Sequence, residues 1–511
     1  MTRFYLGVDV GTHSARAGVF DETGKMHASA ASAFEVARPA PDFVECSSED
    51  VWRACGEAVR AALRGIAKEA IVGIGFDATC SLVVLDGDLP RDVIVWMDHR
   101  AIDQARRINA LGHDVLRYVG GVISPEMQTP KLLWLAENAP AAFARARRFF
   151  DLPDFLSWRA TGSEARSSCT TVCKWTRTRD GWSESYFRAV GLGALVDEGF
   201  ARIGTDVRGV GERAGTLTES AARELGLAAG TPVAVSIIDA HAGGLGLLGG
   251  NPFGRLALIG GTSSCHMAVS REPVFVPGVW GPYFSAMVPG LWLTEGGQSA
   301  TGALLDHVIA SHARGAELGP HPQAVLEARI DALAARAPFR AALARDLHVL
   351  PDHHGNRSPR ADPTLRGMIS GLSLESDLDA LALLYLATVQ AIAHGTRHIV
   401  DAMRAAGLPI ETIVACGGDT KSALFVREHA DVTGCRVVLP KEPEAVLLGA
   451  AILGRVACGD SPSVEHAMGA MDHEGASIEP AGGEIAAFHE KKHRVFLRMW
   501  EDQIAYRTLM K

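Results

Sequence analysis

The stretch FYLGVDVGTHSARAGVF, from Phe4 to Phe20, places β-favouring residues on either side of a Gly11-Thr12-His13-Ser14 centre. It reads as two antiparallel strands joined by a tight polar turn. Downstream, Ser47 to Ile66 carries Trp52, Cys55, Val59, Leu63 and Ile66 at helical spacing, behind a capping pattern at Ser47 and Asp50. Ile71 to Phe76 returns as a short apolar strand. Strands alternating with amphipathic helices specify an α/β domain whose sheet is covered on both faces.

The same arrangement recurs. RLALIGGTSSCHMAVS, from Arg255 to Ser270, is again strand, Gly-Thr-Ser turn and strand, and a helical stretch from Leu378 to Ala406 leads into an apolar strand at Thr412 to Cys416. Two halves of one topology imply a cleft between them. The expected boundaries are 1–248 and 249–511, tightly joined, with a hinge near Gly243 to Gly254. Ser311 to Arg345, rich in Ala and Arg, reads as helix, and Phe488, Val495, Phe496 and Met499 give the C-terminal tail a packed helix.

Composition narrows the function classes. Of 511 residues, 47% are apolar and 21% charged, so both halves have enough apolar side chains for a full core. Fifty Lys and Arg against 59 Asp and Glu leave a net charge of -9, which argues against nucleic acid as a partner. Nine cysteines without CxxC spacing point to a reducing compartment. Asp9 interrupts the first apolar run, and Ala445 to Leu453 is too short to span a bilayer. The expectation is a cytoplasmic protein without a membrane partner; a homodimer is the general prior for soluble enzymes.

Two Gly-Thr-Ser turns facing a cleft offer backbone N–H groups and hydroxyls to a polyphosphate from both sides, which suggests ATP. Gly11, Thr12 and Ser14 belong to the first turn and Gly261 and Thr262 to the second. Asp9 places a hard oxygen ligand beside the first turn, suited to Mg²⁺, and Arg16 brings a planar set of donors. The plainer alternative is two ordinary hairpin turns. Between them, VAVSIIDAHAGGLGLLGG ends an apolar strand at Asp239, placed to act as a base and to touch a metal-bound water, or simply to cap the following helix.

Two motif matches are set aside. Gly244-x-Gly246-x-x-Gly249 lies too far beyond its strand for a dinucleotide site, and close helix packing explains it. His489-Glu490-Lys491-Lys492-His493 has the zinc-protease pattern but charged middle positions and no third ligand, so it reads as a solvated helix.

Together, Gly7 to Ala17, Asp239-Ala-His-Ala-Gly243, Gly260-Gly-Thr-Ser-Ser264 and CGGDTKSALFVREHADVTG from Cys416 to Gly434 resemble the FGGY carbohydrate kinases over nearly the whole chain. The resemblance implies two ribonuclease-H-like domains of the actin and hexokinase type, closing on ATP and a sugar. FDATCSLVVLD from Phe76, RSSCTTVCKWT from Arg166, EGGQSATG from Glu295 and HGNRSP from His354 are similar to pentulose kinases, especially the D-ribulokinase group. By position, the resemblance implies that Thr79, Cys80, Lys174 and Glu295 read the sugar and that Asp239 is the base. It assigns Gly261 and Thr262 to phosphate and Gly417 and Gly418 to adenosine, so that the first domain binds sugar and the second nucleotide. Asp419-Thr420 departs from the small or apolar residues expected after those glycines.

The implied reaction is ATP- and Mg²⁺-dependent phosphorylation of a ketopentose, D-ribulose to its 5-phosphate. L-ribulose, xylulose or ribitol are alternative substrates, and an actin-like ATPase switch is the alternative class.

Overall fold

In the computed structural model, residues 3–511 are described. The quoted hairpin is β1 (Phe4–Val10) and β2 (Ser14–Phe20), paired antiparallel, with β3 (Met26–Ala33) beyond β2. The Ser47 hydroxyl accepts the Asp50 N–H and starts α1 (Ser48–Ala62), which buries Val51, Trp52, Cys55 and Val59. The chain then enters β4 (Ile71–Ala78), parallel to β1. After α2 (Ser168–Lys174) come β5 (Arg213–Thr216), β6 (Pro232–Ala234) and β7 (Ile237–Ile238). The sheet order is β5-β6-β4-β1-β2-β3, with β7 also on β4.

α3 (Asp239–Leu248) leads to the second sheet. Its strands are β8 (Arg255–Gly260), β9 (Ser264–Ser270), β10 (Trp280–Phe284), β11 (Trp292–Gln298), β12 (Thr412–Gly417), β13 (Arg436–Pro440) and β14 (Glu474–Ile478), in the order β10-β11-β9-β8-β12-β13-β14. α4 (Gly302–Ser311) and α5 (Leu378–Ala405) lie between β11 and β12; α6 (Ala423–Thr433), α7 (Ala445–Ala457) and α8 (Gly483–Leu509) follow. The runs β3-β2-β1-β4-β6 and β11-β9-β8-β12-β13 share order and direction, so the expected duplication into two α/β domains is present.

The halves exchange helices. α3 packs on β8, β9 and β12 of the second sheet, and α7 packs on β1, β2 and β4 of the first. Glycines permit this closeness: a Cβ on Gly7, Gly73 or Gly75 would overlap a carbonyl of α7, and one on Gly246 or Gly449 would overlap the facing helix. Of the apparent dinucleotide fingerprint, Gly246 is thus spent on helix packing, Gly244 faces the Met287 side chain and Gly249 ends the helix with a positive φ. The expected hinge is correspondingly shorter, because Gly243 to Leu248 is buried helix and only Gly249 to Gly254 remains as connector.

Three other expectations need correction. Ser311 to Arg345 is a broken series, with an α-helix only at Pro322–Ala334. The helix α8 is not solvated along its histidine face: His489, Lys492, His493, Phe496 and Met499 are buried, and His493 lies 3.3 Å from His394 of α5. α5 itself is long and apolar enough to cross a membrane, which the sequence reading overlooked, yet 72% of its most apolar window is buried against the rest of the chain.

Candidate active site

Strand register builds the first cluster. Asp9, near the end of β1, sits opposite Asp77 on β4 and opposite Arg16 on β2. Arg16 donates to Asp9 at 2.7 Å and to Glu444 at 2.8 Å, so its guanidinium ties the first hairpin to the start of α7 rather than standing free as a donor. Asp77 is fully buried, and neither carboxylate oxygen has a partner among the described residues. Burial, then the charge of Asp9, holds its acid well above the ordinary carboxylate range.

Asp239 enters the same cluster from the end of β7. It is the first residue of α3 and not its cap, a position held by Ile238, and its Oδ1 accepts the Ala240 N–H at 2.7 Å. Burial, with the charge of Asp9, raises it to about 6. Its proton affinity is therefore matched to a base working near neutrality. The orphaned oxygens of Asp77 beside Asp9 and Asp239 form a set of hard oxygen donors that fits a divalent cation.

The two turns are built alike. The Gly11 N–H donates to Ser14 O and the Gly261 N–H to Ser263 O, both at 3.0 Å, so the glycine amides close the turns themselves. The N–H groups of Thr12, His13, Thr262 and Ser263 have no acceptor among the described residues, which leaves them open to an anion. The Thr12 hydroxyl accepts from the Trp96 indole at 3.1 Å. The second turn is braced by Thr301 and Gly302, whose N–H groups donate to Thr262 O and Gly261 O.

Gly417 ends β12 with φ 100°, and a Cβ there would overlap Gly260 O, so the position requires glycine. Gly418 has open space beside it. Asp419 turns inward, close to Gly260 and Gly302, with one buried oxygen unpartnered and its acid pushed by burial to about 6.

A third group lies nearby. Lys174, the last residue of α2, is buried, which excludes a surface charge beside Trp175; its ammonium lies 4.9 Å from the Trp280 ring centre. Burial works against its charge, but Cys80, Glu295 and Glu126 outweigh it and raise its proton affinity. Glu295 on β11 is buried and accepts from His241 Nε2 at 3.1 Å. Despite burial it is held below the ordinary range by His241, Lys174 and Arg357. Thr79 and Cys80 follow β4 and are buried; the Thr79 N–H donates to Val10 O, which holds it beside the first hairpin.

Several contributors escaped the sequence reading. Asp77 carried a usable signal, since parallel neighbours β1 and β4 both end in an acid. His241 stands two residues after Asp239, and Arg357 lies inside HGNRSP, although neither was singled out. Glu126, held down to about 2 against its burial by His99 and Arg357, and Trp96 and Trp280 had no local pattern to mark them.

Residues 4–246 match the N-terminal domain of the FGGY family of carbohydrate kinases, and residues 256–458 match its C-terminal domain. The chain is 50% identical to a human FGGY carbohydrate kinase domain-containing protein, covering 99% of this chain and 98% of that one. It is 37% identical to a D-ribulokinase of Saccharomyces cerevisiae, over 90% of this chain and 72% of the relative. A xylulose kinase from Rhodospirillum rubrum shares the fold, with a TM-score of 0.85 at 23% identity and 99% coverage of each chain.

Proposed function

Starting from the FGGY family of carbohydrate kinases, to which this chain belongs, we propose that the protein is an ATP-dependent kinase of a ketopentose, converting D-ribulose to D-ribulose 5-phosphate. The observation that carries the reading is the buried Lys174 and Glu295 group, a donor-only and an acceptor-only side chain close to Asp239. A pentulose has hydroxyls and one ketone, and needs both kinds of partner. The 37% identity to a D-ribulokinase adds support for this substrate.

In this reading the sugar lies along Lys174, Glu295, Thr79 and Cys80, with its terminal hydroxyl toward Asp239. The free amides of Thr12, His13, Thr262 and Ser263 receive the phosphates, and Gly417 and Gly418 border the adenosine. Asp239 accepts the hydroxyl proton as the new P–O bond forms. The transition state of phosphoryl transfer is loose, so orientation and charge neutralisation matter more than base strength. Mg²⁺ would be held by Asp9 and Asp77, with Asp239 through water, and would neutralise phosphate charge. Closure of the two domains excludes water, which would otherwise compete as acceptor. The first domain then supplies the base and most of the sugar contacts, with Glu295 reaching in from the second; both turns hold the phosphates and the second domain borders the adenosine.

An ATP-coupled assay across D-ribulose, L-ribulose, D-xylulose and ribitol tests the substrate. The proposal predicts the highest kcat/KM with D-ribulose; equal values on all four, or preference for another, remove that assignment. ATP hydrolysis indifferent to every sugar removes the kinase assignment as well.

A further inference from the structure

Behind Glu295 runs a buried chain of groups that the phosphoryl transfer does not itself require. Cys169 on α2 has its Sγ 3.0 Å from Nδ1 of His241, and Nε2 of that ring reaches Glu295 Oε2 at 3.1 Å. The sulfur also receives the N–H of Ile238, the residue before Asp239, at 3.5 Å. Cys169 and His241 are 0% and 1% exposed, so no water competes for these contacts. We propose that Cys169 is a positioning residue: its buried sulfur, through His241, fixes the Glu295 carboxylate toward the sugar and at the same time seats the peptide leading into Asp239.

Hydrogen-bond accounting fixes the order of the chain. An ionised Glu295 only accepts, so Nε2 of His241 carries a proton and donates to it, which leaves Nδ1 to face the Cys169 sulfur. The same sulfur accepts the Ile238 N–H, so one atom holds both the ring and the strand end that leads into Asp239.

Cys169, Cys173 and His241 also have the donor atoms of a soft metal site, all within 4.8 Å of one another. The positioning role and a metal site make opposite predictions for metal content.

The role of Glu295 rests on the kinase reading. The first measurement is metal analysis of the purified chain: no bound zinc is expected, and one zinc per chain overturns the proposal. The second is steady-state kinetics. Cys169→Ala is expected to raise the sugar KM about tenfold with the ATP KM unchanged, and Cys169→Ser to recover part of the loss. An unchanged sugar KM in a folded Cys169→Ala overturns the positioning role while the kinase reading stands. A wild-type chain that turns over no ketopentose removes the kinase reading and, with it, the proposal.

Discussion

The two hairpins follow one plan and carry different chemistry. In the first, Asp9 on β1 lies in register with Asp77 on β4; at the matching level of the second, Ile259 on β8 lies in register with Cys416 on β12. One step further, Val10 faces Ala78 and Gly260 faces Gly417. Each turn exposes two unpaired amides to the cleft, yet only the first has acids at the strand register beneath it; the acid against the second, Asp419, comes from the turn after β12. Repetition of the fold therefore supplies two anion cradles. In the proposed reading, the carboxylates beneath the first turn make the site asymmetric, with cation and proton transfer on one wall and nucleotide packing on the other.

Removing the acid that defines the first wall has the largest expected effect. Asp239→Asn is expected to lower kcat by about 10²- to 10⁴-fold while ATP affinity, measured by calorimetry, stays near wild type. Near-wild-type turnover would take the base role from Asp239. In the wild type, the base works only when ionised and its acid lies at about 6, so kcat/KM should fall about tenfold per pH unit below that value and level off above it. A flat profile through this range would separate the titration from the chemistry.

Glu295→Gln sharpens the contrast between sugar and nucleotide walls. It is expected to raise the sugar KM by about ten- to a hundredfold, the scale of a charged hydrogen bond, with little change in the ATP KM. Gly417→Ala probes the second wall: left-handed backbone and overlap with Gly260 O should cost about 1–3 kcal/mol and lower the melting temperature by several degrees.

The smallest effect has the opposite sign. Folding raises the acid of Asp77 above its unfolded value, so the stability cost begins above the ordinary carboxylate range and grows with pH. Without divalent ions, Asp77→Asn should raise the melting temperature by about 2–4 °C at pH 8 and by less at pH 5. A lower melting temperature at both values would mean that Asp77 is stabilising as it stands.

Both hairpins, α1 and the duplication were legible because turns, capping and period-two alternation are local signals. Asp9 and Asp239 were legible because each ends an apolar strand. Asp77 stands near the end of an apolar strand in the same way, but its importance comes from register with β1, which its neighbours in sequence do not show. The sugar-side group joins α2, α3, β11 and the loop of Arg357, and no spacing rule brings such distant residues together. His489 and His493 were readable in principle: with Lys492, Phe496 and Met499 they share one helical face, which marks a buried stripe more clearly than a zinc motif.

The most direct test is a crystal structure of the chain with a non-hydrolysable ATP analogue, Mg²⁺ and D-ribulose. The account predicts phosphates bound between the Thr12–His13 and Thr262–Ser263 amides, with the sugar's terminal hydroxyl beside Asp239. Phosphates bound away from either turn, or a sugar that does not approach Asp239, would contradict it.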